Sequence, residues 1–140
     1  MKIAWHMPTL QSVGCGLSRR AIEFAKGLSP HHAIRFYVCE SKTNVTSDRI
    51  EGIPIERVAL TIAKPLHWSL QALARRKSAA RCVARVPDDC DVFISCQPEA
   101  VSARRLWFPL QSIVYVCGGT TCSMTRRNLP GRHAARSRGV

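Results

Sequence analysis

Apolar residues fall along this chain in two alternating rhythms, short unbroken runs and longer stretches with helical spacing. Ile3, Ala4 and Trp5 run together without alternation, which predicts a short buried strand over Lys2–His6. Leu17, Ala21, Phe24, Ala25 and Leu28 then share one side of a 3.6-residue repeat, with Arg19, Arg20, Glu23 and Lys26 off it. This predicts a helix that Ser18 can cap with its hydroxyl and that Ser29-Pro30 stops. The run AIRFYVC, Ala33–Cys39, is rich in β-branched and aromatic residues and predicts a second strand. Glu40 to Gly52 is polar and aperiodic and reads as a loop. Pro54–Leu60 alternates and reads as a third strand, at an edge because of its proline. Leu66–Val86 is the longest helical stretch. Leu66, Leu70, Leu73, Ala74, Ala80 and Val83 supply its apolar side, Arg75, Arg76, Lys77, Arg81 and Arg85 its basic side, and Pro87 its end. Strands over Asp91–Cys96 and Ile113–Cys117 flank a short helix over Ala100–Leu106.

Strands that alternate with helices imply right-handed crossovers and a parallel sheet. The expected fold is α/β, a Rossmann-like sheet of about five parallel strands flanked by helices. Residues 1–124 form that domain in this reading. The composition changes after Met124. RRNLPGRHAARSRGV has five arginines, no acid and almost no large apolar residue, so residues 125–140 are expected to be a disordered arginine-rich tail.

Composition narrows the classes. The length, 140 residues with 46% hydrophobic, suits one domain with its own core. The net charge of +12 predicts attraction to polyanions, whether nucleic acid, an anionic membrane surface or a phosphate-bearing ligand. Seven cysteines without a C-x-x-C pair argue against a disulfide scaffold and a zinc ribbon. Cys39, Cys96 and Cys117 end apolar runs and read as small buried hydrophobes. The expected compartment is reducing, the cytoplasm. His6 and Pro8 interrupt the apolar start before a signal peptide could form, and the longest apolar run, Ile113–Cys117, is far short of a membrane span.

In an open α/β sheet, ligands bind beyond the carboxyl ends of the strands, where the strand order reverses. The first and fourth predicted strands flank that point. Three loops then converge: Pro8–Ser18, Cys96–Glu99 and Cys117–Cys122. The backbone N–H groups of Gly16, Leu17 and Ser18, with the helix dipole, suit a phosphate. Gly14-Cys15-Gly16 has no third glycine, since Arg19 stands in its place, and no Lys-Ser/Thr of a P-loop follows. A packing turn and a ligand loop both remain open for it. Arg19 and Arg20 can face a phosphate or simply solvent. Glu99 is the one acid in the converging loops, a candidate base or hydroxyl partner, or else a first-turn acid that complements the helix dipole. His6 ends the first strand near the site and reads as a satisfied histidine, while His31-His32 reads as turn surface. The spacing of histidines and cysteines assembles neither a catalytic triad nor a metal set, so no metal is expected. The basic face at Arg75–Arg85 reads as solvated, as a lipid-facing surface or, lacking interleaved aromatics, last as a nucleic-acid surface.

KIAWHMP, VGCGLSRRAIEFAKGLSPHHAIRFYV, DCDVFISCQPE and SIVYVCGG, in that order over residues 1 to 120, resemble the N-terminal domain of GT-B fold glycosyltransferases of the family 4 (group 1) type. The resemblance implies the acceptor-side half of a two-domain enzyme that transfers a sugar from a nucleotide-sugar donor to a glycan or lipid-linked acceptor. It implies no cofactor beyond that donor substrate. By that likeness Gly14, Gly16, Leu17 and Ser18 would lie near the donor phosphates, Cys96 and Gln97 near the acceptor, and Cys117, Gly118 and Gly119 in the cleft, with Glu99 and Cys117 the candidate catalytic residues. Cys15 replaces one of two adjacent glycines common in the family, and Cys117 stands where a histidine is common. A donor domain with paired glutamates is expected but does not follow, so the chain reads as a truncated or frame-shifted form, inactive alone. The location implied is cytoplasmic, with peripheral contact at the inner membrane face. The competing reading is a stand-alone basic module for anionic lipid or nucleic acid. A third is another nucleotide-binding Rossmann class, for which Glu40 at the end of the second strand is the one supporting acid.

Overall fold

The computed structural model describes residues 1–10, 16–40, 48–59, 68–109, 111–116 and 121–123. Strand β1 (Lys2–Met7) leads to helix α1 (Gly16–Leu28) and strand β2 (Ala33–Glu40). The two-residue strand β3 (Arg49–Ile50) and β4 (Ile53–Ala59) follow, then helix α2 (Trp68–Val83), β5 (Val92–Ser95), helix α3 (Pro98–Trp107), β6 (Ser112–Val116) and β7 (Thr121–Ser123). The sheet order is β3-β4-β2-β1-β5-β6-β7. The five central strands run parallel, and β3 and β7 add antiparallel pairs at the two ends. This is the expected α/β, Rossmann-like fold. The strand order reverses between β1 and β5, as the sequence predicts, and His6 pairs with Ser95 across that line.

Alternation along β1 divides the core in two. Ile3, Trp5 and Met7 face α1 together with Phe36, Val38, Ile55 and Ile94, against Ala21, Ile22 and Ala25. Trp5 and Phe36 are tilted with their ring centroids 5.8 Å apart. Ala4, Tyr37, Cys39, Phe93 and Ile113 face the other way, against Ala79, Cys82 and Val83 of α2 and Ala100 and Val101 of α3. Small residues at 79 and 82 let α2 approach the sheet closely.

Several expectations need correction. Helix α1 starts at Gly16, so Ser18 is its third residue and not its cap. Ser18 is fully buried, and its hydroxyl donates to the Thr9 carbonyl at 3.4 Å. The buried stripe of α1 runs through Ser18, Ala21, Ile22 and Ala25, and Phe24 lies outside it, 63% exposed. Helix α2 ends at Val83, and only its last turns reach the core, so Leu70 and Leu73 are about half exposed. Leu66 lies outside the described residues. The expected loop before the third strand contains β3. Glu51 (φ 49°) and Gly52 (φ 80°) turn the chain back onto β4, and two successive positive φ values make this a primed hairpin turn. The third strand is therefore not an edge. Pro54 precedes the start of its pairing with β2 at Ile55. Residues 125–140 lie outside the described residues. Among the described residues, no helix is long and apolar enough to cross a membrane.

Candidate functional site

The carboxyl ends of β1 and β5 bring the described parts of two predicted loops together. Gly16 opens α1 without a left-handed φ, and a Cβ built on it would meet nothing within 4 Å among the described residues. Among the described residues, therefore, neither close packing nor backbone strain calls for glycine here. Gly16, Arg19, Arg20, Glu23 and Phe24 line an open concavity of about 470 Å³. Arg19 and Arg20 are exposed there. Leu17 is half-buried and packs on the α1-side core. Gly14, Cys15, Cys117, Gly118 and Gly119 lie outside the described residues.

On the β5 side, Cys96 is half-buried and packs on the same core. Gln97 caps α3 by backbone geometry and not by its side chain. Its N–H donates to Ser95 Oγ at 3.0 Å, and its carbonyl accepts from Ser95 Oγ at 3.3 Å and from Val101 N–H at 3.2 Å. Glu99 is a half-buried acid in the first turn of α3, where a carboxylate complements the helix dipole. A larger groove, about 680 Å³, lies at the opposite end of the strands, lined by residues including Lys2, Ala33, Arg35, Pro54 and Asp89. Lys2 and Asp89 pair with one another in it.

Behind the switch point the fold assembles a set that spacing did not reveal. A ring nitrogen of His6 and the sulfurs of Cys39 and Cys82 all lie within 4.8 Å of one another, and all three residues are buried. They come from β1, β2 and α2. The spacing of histidines and cysteines along the chain shows no such set; the fold brings these three donors together. Chain spacing hides the set because the β1–β2 register pairs His6 with Tyr37 and so brings Cys39, two residues further along β2 and 33 beyond His6 in sequence, to the same face. The cue is the stripe Ala79, Cys82, Val83, Val86, which turns Cys82 inward opposite the end of β2.

The electrostatics of this set follow from its hydrogen bonds. His6 Nδ1 lies 2.9 Å from Ser95 Oγ, and the imidazole stacks on Phe93 with centroids 6.3 Å apart. Ser95 Oγ also reaches the Gln97 carbonyl at 3.3 Å; when its proton goes there, His6 donates from Nδ1 and the lone pair is on Nε2, and when it goes to Nδ1 the imidazole proton is on Nε2. Nε2 is buried and without a hydrogen-bond partner among the described residues. As a thiol, Cys39 donates to the Ser78 carbonyl at 3.2 Å. A hydrogen bond from Cys82 and the nearness of His6 hold the Cys39 thiol down to about 6 against the opposing effect of burial. Cys82, the partner that keeps its proton, is pushed strongly up.

Arg104 is a second feature that pattern reading missed. It is fully buried on α3 and donates to the carbonyls of Val86 (3.3 Å) and Pro87 (2.9 Å), to Gln111 Oε1 and to Cys90 Sγ (3.4 Å).

The chain matches no family model, no characterised protein and no solved structure.

Proposed function

We propose that this chain is the acceptor-side, N-terminal domain of a GT-B type glycosyltransferase, and that Gly16 to Ser18 face the phosphates of a nucleotide-sugar. One observation carries the reading. Among the described residues nothing around Gly16 calls for glycine, and it opens a helix of 13 residues beside Arg19 and Arg20, following the strand that borders the switch point of the sheet. The first N–H groups of a helix have no acceptor within it and point outward, so an anion lodged there gains their hydrogen bonds and the dipole. Glu99 and Gln97, across the β1–β5 line, stand on the side where an acceptor hydroxyl would enter. Sugar transfer needs donor and acceptor held in line, so binding without turnover is the activity expected of this domain.

The experiment is an amide NMR titration of the full chain with a nucleoside diphosphate. Progressive shifts centred on Gly16–Ser18, lost in Arg19→Ala, support the reading. An unchanged spectrum at millimolar ligand rejects it.

A second reading rests on the basic residues of α2 and its end. Arg75, Arg76, Lys77 and Arg81 on α2 and Arg85 just past it are all exposed, which suits a peripheral surface for anionic lipid. Sedimentation with vesicles of phosphatidylserine, abolished by moderate salt and unaffected by Arg19→Ala, would favour it over the first.

A further inference from the structure

We propose that His6, Cys39 and Cys82 form a buried binding site for a zinc-class divalent cation that clips α2 to the sheet. The inference is independent of the sugar-transfer reading. Its first support is convergence: three soft or borderline donors from β1, β2 and α2 lie within 4.8 Å of one another and are shielded from solvent. Tetrahedral zinc, with Zn–S of about 2.3 Å, sets its sulfurs about 3.8 Å apart. Closing the observed set onto a metal therefore takes side-chain adjustments of the order of an ångström.

The second support is the state of His6. Ser95 Oγ lies 2.9 Å from Nδ1, and Phe93 packs along the ring. With the proton on Nδ1, the tautomer a metal on Nε2 selects, the lone pair stands on Nε2, which has no hydrogen-bond partner among the described residues. A buried acceptor left unpaired costs free energy, and a function is the usual reason for keeping one. A ligating histidine held through its other nitrogen is the common outer-shell arrangement of metal sites.

The third support is charge. The cation displaces one proton from each thiol, leaving two thiolates and one neutral imidazole. With a divalent ion the set is then neutral, which suits a dry core; a monovalent ion would leave one uncompensated negative charge. Magnesium and calcium demand several oxygen donors, and two sulfurs and an imidazole do not provide them. The Ser78 carbonyl oxygen, 3.2 Å from Cys39 Sγ, is the candidate fourth donor.

The test loads the full, reduced chain with Co²⁺ and then displaces it with Zn²⁺. One equivalent should bind, with the visible bands of tetrahedral cobalt and near-ultraviolet thiolate charge transfer, and zinc should bleach both. Cys39→Ala and Cys82→Ala should each weaken zinc binding by more than about 100-fold, beyond an outer-shell effect. Cys96→Ala should leave it unchanged. His6→Gln should keep the charge transfer and alter the visible bands. Because the alanine variants can fail to fold, ¹¹³Cd NMR of the unmodified chain gives a second reading, a single resonance in the range of two-thiolate coordination. Absence of one-equivalent uptake, octahedral cobalt bands, a spectrum that survives loss of both cysteines, or a Cys39–Cys82 disulfide that forms equally with zinc present would each overturn the proposal.

Discussion

The guanidinium carbon of Arg104 lies 3.8 Å from the centroid of the Phe108 ring, one turn further along the chain. The ring of Phe93 lies 5.9 Å away, and the N–H groups are taken by the carbonyls of Val86 and Pro87, by Gln111 Oε1 and by Cys90 Sγ. Among the described residues no carboxylate forms an ion pair with this arginine. Its charge is met by π faces and by carbonyl dipoles just past the end of α2. It thereby ties α3 to the connection between α2 and β5, and so sets the height of α3 above the switch point. Replacing it by alanine removes the cation and also strands those carbonyls and Gln111. Arg104→Ala should cost on the order of 3 kcal/mol in urea unfolding. Arg104→Lys should recover little of that, because one ammonium cannot span the planar array of acceptors. An unchanged midpoint for either variant would show that the tie bears no weight.

Ser95, the last residue of β5, links the end of β1 to the start of α3 at the switch point. It holds His6 Nδ1 at 2.9 Å and both backbone groups of Gln97. Ser95→Ala should therefore destabilise the chain by roughly 1–2 kcal/mol, since it deletes bonds in a buried place. If the buried set binds zinc, the same change should weaken that binding by about 10- to 100-fold while leaving one equivalent bound, because Ser95 orients a ligand without touching the metal. Competition against a chromophoric chelator reads the affinity. A Ser95→Ala chain with wild-type zinc affinity would remove the orienting role.

At the other end of the strands, Lys2 pairs with Asp89, and its backbone N–H donates to Asp91 Oδ2 at 2.7 Å. The hydrogen bond and charge of Lys2 lower the Asp89 pKa, and the same bond to Asp89 raises that of Lys2. For Asp89 the folded value lies below the unfolded one. Its stabilisation is therefore present above the ordinary carboxylate range and is lost as pH falls through the folded value. For Lys2 the folded value lies higher, so its share persists below the ordinary lysine range and is lost as pH rises through the folded value. Both groups are exposed, so the effect is small and screened by salt. Asp89→Asn should lower the melting temperature slightly at neutral pH in low salt. The difference should shrink as pH falls through the folded Asp89 value and vanish once the carboxylate is protonated in both states. A neutral-pH gap that persists in acid would assign the effect to something other than this pair.

The alternation of elements and the parallel order of the five central strands were legible in the sequence. The first, fourth and fifth predicted strands are short apolar runs, the second is rich in β-branched and aromatic residues, and the connections that hold α1, α2 and α3 carry a helical repeat. The hairpin at Glu51-Gly52 was not, because a two-residue strand is too short to show a period and Glu is an uncommon first residue in a primed turn. The candidate phosphate loop was legible only in part. Gly16 announces itself, but Ser18 looks like a cap until the helix start is known. The His6, Cys39 and Cys82 set was illegible, because its donors meet only after three separate elements have packed. Buried arginine is equally hidden: nothing in PEAVSARRLW distinguishes Arg104, fully buried, from its half-buried neighbour Arg105.

Helix α2 offers the sharpest comparison of pattern with packing. Hydropathy favours Leu70 and Leu73 as core residues, yet both are about half exposed, while Ala79 and Cys82 are fully buried. The reason is reach. The sheet face beneath α2 is formed by Tyr37, Cys39 and Phe93, and only the last turns of the helix lie over it. Leu70→Ser should then change stability by no more than about 0.5 kcal/mol. Ala79→Leu should cost roughly 1–3 kcal/mol, because three added carbons have nowhere to go in a packed contact. The two variants, compared by urea unfolding on one background, rank the positions directly. The reverse order, a costly Leu70→Ser and a tolerated Ala79→Leu, would mean that the amino-terminal half of α2 carries the core contact and that the helix is rotated from the position described. Such a rotation would also carry Cys82 away from His6, so the same pair of variants tests the framework on which the buried donor set stands.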